Sequence, residues 1–394
     1  MGQTGMGMAD VQASDLVLQA EAALAGRDPA SAIALLDRAD ALGGVSPRSR
    51  MARAAALRAV GDARGALAAL DDLLAEQPYH FLALLSKGAV LEQSGAAGAA
   101  VDVYRNAVKI APPAERLPPA AARQLDAARS AVSRTDQALR EHLASAVAGL
   151  RAEHRGADLA RFDEALDIFA GVKKAYVQEP LFFHYPRLPA IPFYDRSHFP
   201  WLEELDRATD LVASEMRVAL DSAGEAELAP YIQYPRGAPV NQWGELNHSR
   251  RWSSYFLWKD GQRQDQACAR CPQTAALLER LPVCRQPGYA PTAMFSALEA
   301  RTHIPPHTGS TNVRLLAHLP LLLPGPARFR VGNETRKWRM GEAWVFDDTI
   351  EHEAWNDADA LRVILIFDVW NPLLTEVERE LVNALLAARK GFAL

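Results

Sequence analysis

Cysteine is scarce, at three in 394 residues. That excludes a disulfide framework and fits a reducing, cytoplasmic setting. Long apolar runs are missing too. The most apolar stretch, Leu315–Leu323, is nine residues long and holds His318 and Pro320, whereas a membrane helix needs about 20. There is no excess of positive charge: the formal net charge is −5, with no long basic run, so a nucleic-acid footprint is not expected. Residues Met1 to Asp15 lack the basic start and apolar stretch of a secretory signal. What is present is ordinary for a folded protein, 49% hydrophobic and 23% charged, and long enough for two or three domains.

The chain changes texture once. Residues 12–178 are rich in Ala, Leu, Arg, Asp and Glu, with apolar positions at helical spacing. They also repeat. Gly61 and Gly95 lie 34 residues apart, as do Pro78 and Pro112, and Gly26 precedes Gly61 by 35. A 34-residue period with small residues where helices cross and a proline after the second helix resembles tetratricopeptide repeats. About three helix pairs fit between Val17 and Pro112, each burying its neighbour's apolar face. Further helices are expected over 119–155 and 158–178, as cap and connector. Such a solenoid is either a plain scaffold or a surface for a protein or peptide partner, and the sequence does not choose.

From Glu179 to the end, prolines and aromatics take over, and all eight tryptophans lie in 201–370. Short apolar or β-branched runs follow at Ser253–Trp258, Met294–Glu299, Val313–Leu319, Arg328–Val331, Ala343–Phe346 and Arg362–Trp370, bounded by Gly, Pro and Asn. This predicts an all-β sandwich or barrel, expected as a double-stranded β-helix, a jelly-roll of the cupin kind. Helices are expected at Phe199–Ser222, Thr274–Glu279 and Thr375–Arg389. The fold class is therefore multi-domain α + β: a helical solenoid over 12–178, then the β-helix domain over 179–394.

Two histidines stand out. His307 follows Ile304-Pro-Pro in an expected loop, and His352 begins or precedes a strand. Imidazoles from neighbouring strands suit iron, zinc, copper or nickel. The position two residues after His307, where non-haem iron oxygenases usually place a carboxylate, is Gly309. With ten histidines in the chain, spacing alone leaves metal binding and a hydrogen-bonded core role both open.

The wider pattern is more specific. His307-Thr-Gly-Ser-Thr-Asn-Val-Arg314, His318-Leu-Pro, Gly332-Asn-Glu-Thr-Arg336, and Trp344-Val-Phe-Asp-Asp-Thr-Ile-Glu-His352 resemble the aspartyl/asparaginyl β-hydroxylase family. So do Arg362 to Pro372, Trp243 to His248 and Tyr255 to Gly261, so that the resemblance covers roughly 180–372. It implies an Fe(II)- and 2-oxoglutarate-dependent dioxygenase with two histidine ligands, His307 and His352, and no third protein carboxylate. Asp348 would orient a water at the iron. Asp347 is as readily a turn residue. Arg362 would anchor the distal carboxylate of 2-oxoglutarate bidentately, with Ser296 beside it and His318 and Trp258 lining the same pocket. Oxidative decarboxylation with O2 would give succinate and CO2 and hydroxylate an unactivated carbon, with the β-carbon of a peptide Asp or Asn as the leading substrate.

The resemblance also has a gap. The family's better-known members carry a second arginine two residues after the one matching Arg314, and this chain has Leu316. Arg314, Arg336 or Arg339 could hold a substrate carboxylate in its place. Otherwise the substrate is a free amino acid, a peptide natural product or a lipid acyl chain. A rival expectation is an inactive repeat-plus-cupin interaction protein. Cys268, Cys271 and Cys284 are expected to be plain thiols, since a structural zinc site needs four ligands.

Overall fold

The computed structural model describes residues 8–225 and 227–392; Ala226 and the last two residues of the expected second domain lie outside them. The chain forms two compact units, one ending at Lys173 and one beginning at Lys174. The second unit starts ahead of the compositional change at Glu179 because Tyr176 and Gln178 already engage it. Arg330 donates to the Tyr176 hydroxyl, and Gln178 bridges to Ile350.

In the first unit α1 (Met8–Ala25), α2 (Pro29–Ala41), α3 (Pro47–Ala59), α4 (Ala63–Glu76), α5 (Phe81–Gln93) and α6 (Ala97–Lys109) form three successive antiparallel pairs. Their apolar clusters overlap along the array. Leu16, Leu36 and Ala52 join α1 to α3; Ala54, Leu70 and Ala83 join α3 to α5; Leu85, Tyr104 and Leu125 carry on to α7 (Pro119–Ala146). Each helix pair thus completes its neighbour's core, the solenoid logic. The repeated glycines have a different task from the one expected. Gly61 and Gly95 have φ of 85° and 80° and open space around a notional Cβ, so they turn the chain between paired helices rather than let helices cross closely. The close crossing uses Gly88, where a Cβ would overlap the Tyr104 ring. After α8 (Ala148–Glu153), the helix expected over 158–178 is only α9 (Ala160–Phe169). It stops because Gly171 turns left-handed, at φ 83°, and the amides of Val172 and Lys173 fold back onto the Asp167 carbonyl.

The second unit holds α10 (Leu202–Arg207) and α11 (Thr209–Ser222), then β1 (Leu228–Pro230), β2 (Trp252–Lys259) and β3 (Gln262–Arg263). Next come α12 (Asp265–Arg270), α13 (Pro272–Arg280), β4 (Ala293–Leu298), β5 (Thr302–His307), β6 (Arg314–Leu322), β7 (Ala327–Val331) and β8 (Glu334–Lys337). It ends with β9 (Trp344–Phe346), β10 (His352–Asn356), β11 (Arg362–Trp370) and α14 (Glu376–Lys390). One antiparallel sheet runs β1-β2-β4-β11-β6-β9, with β3 on β2, and a smaller one runs β5-β10-β7-β8. The two together make the double-stranded β-helix, so the chain is multi-domain α + β with a helical solenoid ahead of a jelly-roll.

Strand periodicity sorts the large sheet's residues between two layers. On β11, Val363, Leu365, Phe367 and Val369 join Leu205, Met216 and Leu278 in a helix-covered core. Ile364 and Ile366 join Phe329, Phe346 and Trp344 in a second cluster, which also takes in Ile304 and Ala354 of the small sheet. Four strands were not expected: β1, β3, β5 and β8. β5 escapes sequence reasoning because Pro305 and Pro306 lie inside it, which an edge strand tolerates. His307 accordingly ends a strand rather than sitting in a loop.

Candidate active site

A cavity of about 270 Å³ opens on the inner face of the large sheet and reaches the β5–β10 edge. Alternation selects its lining: Arg362, Ile364, Ile366 and Asp368 from β11, Arg314, Leu316 and His318 from β6, Met294 and Ser296 from β4.

His307 and His352 meet across the β5–β10 pair as cross-strand partners, with ring centroids 4.1 Å apart. Each ring is held through Nδ1, His307 against the Pro305 carbonyl at 2.8 Å and His352 against the Ile350 carbonyl at 3.0 Å. With Nδ1 as the donor, Nε2 of both keeps its lone pair, the tautomer a metal requires. Burial pushes the His307 imidazole down to about 4. Burial, and then His307 beside it, pushes His352 well down. Both are therefore neutral near pH 7. Among the described residues no group of three or more His, Cys, Asp or Glu could hold a metal ion, so this pair would do so by itself.

At the other end lies a cluster of donors without acceptors. Arg362 is 1% exposed, and its Nε and Nη1 have no hydrogen-bond partner. Its guanidinium lies 4.6 Å from the centre of the Trp338 ring. Burial drives its acidity up, to a pKa of about 9. The His318 Nδ1 and Trp338 Nε1 beside it are also buried without partners. Ser296 pairs across the strands with Ile364, and His318 with Ile366, which puts both on the β11 face that carries Arg362. Trp252 Nε1 donates to Ser296 Oγ at 3.0 Å, leaving the hydroxyl proton to donate onward. A buried cation with several idle donors is a site for a carboxylate. An iron(II) ion at the histidines and 2-oxoglutarate on Arg362 both fit these residues.

Trp258 is a correction. A register shift between Phe256 and Trp258 inserts Leu257 as an extra residue. Trp258 therefore turns to the helix-covered core, outside the cavity. The tryptophans that line the cavity are Trp243, Trp252 and Trp338, which sequence reasoning did not assign. Strict alternation would have put Trp252 and Trp258 on one face, and the bulge that separates them leaves no compositional mark.

The remaining positions divide clearly. Asp348 lines the cavity with Oδ1 unpartnered. Its carboxyl is pushed well up by burial and then by Asp347, with Arg314 pulling the other way. Asp347 is structural: it accepts from the Thr349 amide and hydroxyl, at 3.0 and 2.6 Å, and from Gln178. Arg314 lines the cavity but is already engaged, donating to the Tyr289 carbonyl at 2.9 Å and lying 3.6 Å from Asp368. Neither Arg336 nor Arg339 lines it; they pair with Glu334 and Glu342. Cys268, Cys271 and Cys284 are buried free thiols, the first donating to the Leu257 carbonyl. No helix among the described residues is long and apolar enough to cross a membrane.

Known proteins resemble the part of the chain that carries this cavity. The family described as Aspartyl/Asparaginyl beta-hydroxylase matches residues 222–372. Human aspartyl/asparaginyl beta-hydroxylase is 35% identical over 188 residues, 47% of this chain and 23% of that protein. The ornithine lipid ester-linked acyl 2-hydroxylase of Rhizobium tropici is 33% identical over 198 residues, 50% of this chain and 66% of that protein. The chain thus spans about a quarter of the human relative's length. Among solved structures, the Sgt2 TPR domain from Aspergillus fumigatus matches 32% of this chain and 82% of its own at 19% identity, with a TM-score of 0.28. It is thus residues 222–372 of the C-terminal domain that match the aspartyl/asparaginyl β-hydroxylase family.

Proposed function

We propose that the C-terminal domain is an Fe(II)- and 2-oxoglutarate-dependent dioxygenase that hydroxylates an unactivated carbon. The observation that carries this reading is one cavity holding two neutral, carbonyl-anchored histidines and, apart from them, a buried guanidinium with idle donors. Iron bound by His307 and His352 supplies the redox chemistry that couples decarboxylation of 2-oxoglutarate to hydroxylation. The protein's own residues do the rest. Arg362 and Ser296 grip the distal carboxylate, and His318 adds a donor once Nδ1 carries the proton. Asp348 offers a carboxylate oxygen beside the histidines. Phe329 and Phe346, both against the His352 ring, keep bulk water from it, which strengthens every polar contact inside.

The relatives' names point to two kinds of substrate, an Asp or Asn residue and a lipid acyl chain. The test of the reaction class needs neither. Purified protein with Fe(II), ascorbate and 2-oxoglutarate under air is expected to release succinate slowly without substrate, and His352→Ala to abolish both that and iron binding. No succinate, together with no Fe(II)-dependent binding of 2-oxoglutarate, overturns the reading.

A further inference from the structure

We infer that the outer end of the cavity is built for a substrate that presents an uncharged, apolar chain to the histidine pair, with Leu316 and the Arg314–Asp368 pair excluding a carboxylate. The inference rests on the hydroxylase reading above and narrows it.

Three rings form one wall of that end. Tyr231 and Trp252 have centroids 4.3 Å apart, Trp252 and Trp243 5.9 Å, and Trp243 lies 5.0 Å from the His307 ring. The ladder leads to the atoms where reaction would occur. Met294, Ile304 and Ile366 extend the apolar lining. Ring faces carry negative quadrupole density, so they accept aliphatic chain and disfavour an anion laid on them.

A substrate carboxylate would have to find a cation here, and the described lining holds two arginines, Arg362 and Arg314. Arg362 sits with Ser296 and His318 at the 2-oxoglutarate end. Arg314 donates to the Tyr289 carbonyl through Nη1, and its charge is offset by Asp368, 3.6 Å from Nε and itself 3% exposed. Asp368 is fixed in turn, its carboxylate accepting the Thr292 amide at 2.5 Å. Two residues along the same face of β6, Leu316 turns a methyl-rich side chain into the cavity and pairs across the strands with Asp368. An anion placed here would lose its hydration, meet an arginine whose charge Asp368 already offsets and lie against the carboxyl groups of Asp348 and Asp368. An apolar chain loses nothing and buries its surface.

The experiment uses the full-length chain with Fe(II), 2-oxoglutarate and two peptides identical except for a central Asp or Leu. Binding is read by quenching of tryptophan fluorescence under anaerobic conditions, and turnover by succinate released above the substrate-free rate. In the wild type the Leu peptide should bind at least about tenfold more tightly than the Asp peptide. Equal or reversed preference, including no binding of either, overturns the inference. Leu316→Arg, which sets a cation opposite Asp368, and Asp368→Asn, which releases Arg314, should each raise Asp-peptide turnover at least about tenfold. No gain in a variant with a cooperative melting transition also overturns it, and if neither variant folds the wild-type preference decides. Missing substrate-free succinate in the wild type strikes the hydroxylase reading instead, so the two failures are distinguishable.

Discussion

Gly309 and Asp348 occupy one space between them. A Cβ on Gly309 would overlap the Asp348 carboxylate, and the Gly309 amide donates to the Asp348 backbone carbonyl at 2.6 Å. The two residues come from different loops, one after β5 and one after β9, each next to a histidine of the pair. A carboxylate two residues after His307 is the usual third ligand of a non-haem iron site. In this chain that volume is filled from across the cavity by a side chain on another loop. Gly309→Ala should therefore displace Asp348 and destabilise the domain by about 1–3 kcal/mol, the range for overpacking a tight interior. In Gly309→Ala/Asp348→Ala the overlap is gone, and chemical denaturation should show most of the loss recovered. Additive single-mutant losses would mean that the two do not compete.

Arg362 gives the second expectation. A buried guanidinium without an anion is a destabilising element of the substrate-free protein. Arg362→Met keeps the contact with Trp338 but removes the charge. It should raise the stability of the metal-free protein by about 1–4 kcal/mol, as replacement of buried charges by apolar groups does elsewhere. It should also remove the rise in melting temperature that 2-oxoglutarate gives the wild type. A variant less stable than wild type, or one that still responds to 2-oxoglutarate, would show that the carboxylate is held by other groups.

Much of this was legible in the sequence, and the illegible part has identifiable causes. The 34-residue period and the β-rich second half could be read from spacing and composition, whereas His307, His352, Arg362, Ser296, His318 and Asp348 were singled out by the family resemblance, and alternation then puts Arg362, Ser296 and His318 on one inner face of the large sheet. Trp258 could not be placed because one extra residue in β2 flips every position beyond it, and nothing in Tyr255-Phe-Leu-Trp258 marks the bulge. β5 was hidden by its prolines. The engagement of Arg314 is a tertiary fact: Asp368 lies 54 positions on, brought diagonally across from it by the β6–β11 register.

The pH dependence of stability carries a signature of His318. Burial, and then the neighbouring Arg362 charge, holds its imidazole well below the usual value. The unfolded chain binds that proton near pH 6.5 while the folded one does not. The stability contributed by the neutral ring is complete above that pH and falls as the solution is acidified. His307 and His352 act in the same sense, whereas Asp347, Asp348 and Asp368, all pushed up mainly by burial, act in the opposite sense between the ordinary carboxyl value of about 3.9 and their raised folded values. The difference between wild type and His318→Gln isolates one group. Below pH 6.5 the wild type should lose up to about 1.4 kcal/mol more per pH unit than the variant. Parallel denaturation curves would mean that His318 is protonated in the folded protein.

The solenoid offers a test independent of the cavity. Counting 34 residues back from Gly61 lands on Arg27, not on Gly26, and Arg27 has φ of 62°. The hydrogen bonds agree with that register. The amides of Arg27, Gly61 and Gly95 each reach back three residues, and those of Asp28, Asp62 and Ala96 reach back five. The helix caps agree as well, with Asp28 accepting from the Ser31 amide and Asp62 from the Gly65 amide. The left-handed position of the first repeat is therefore filled by a residue that pays about 1 kcal/mol for it. Arg27→Gly removes that strain but loosens the unfolded chain, for a net gain of roughly 0.5 kcal/mol. Gly61→Ala, with open space around the new Cβ, imposes the strain while stiffening the unfolded chain, for a net loss of roughly 0.5 kcal/mol. Opposite shifts of the solenoid's melting temperature are expected. Shifts of the same sign would mean that side-chain contacts, rather than backbone conformation, set the repeat's turn.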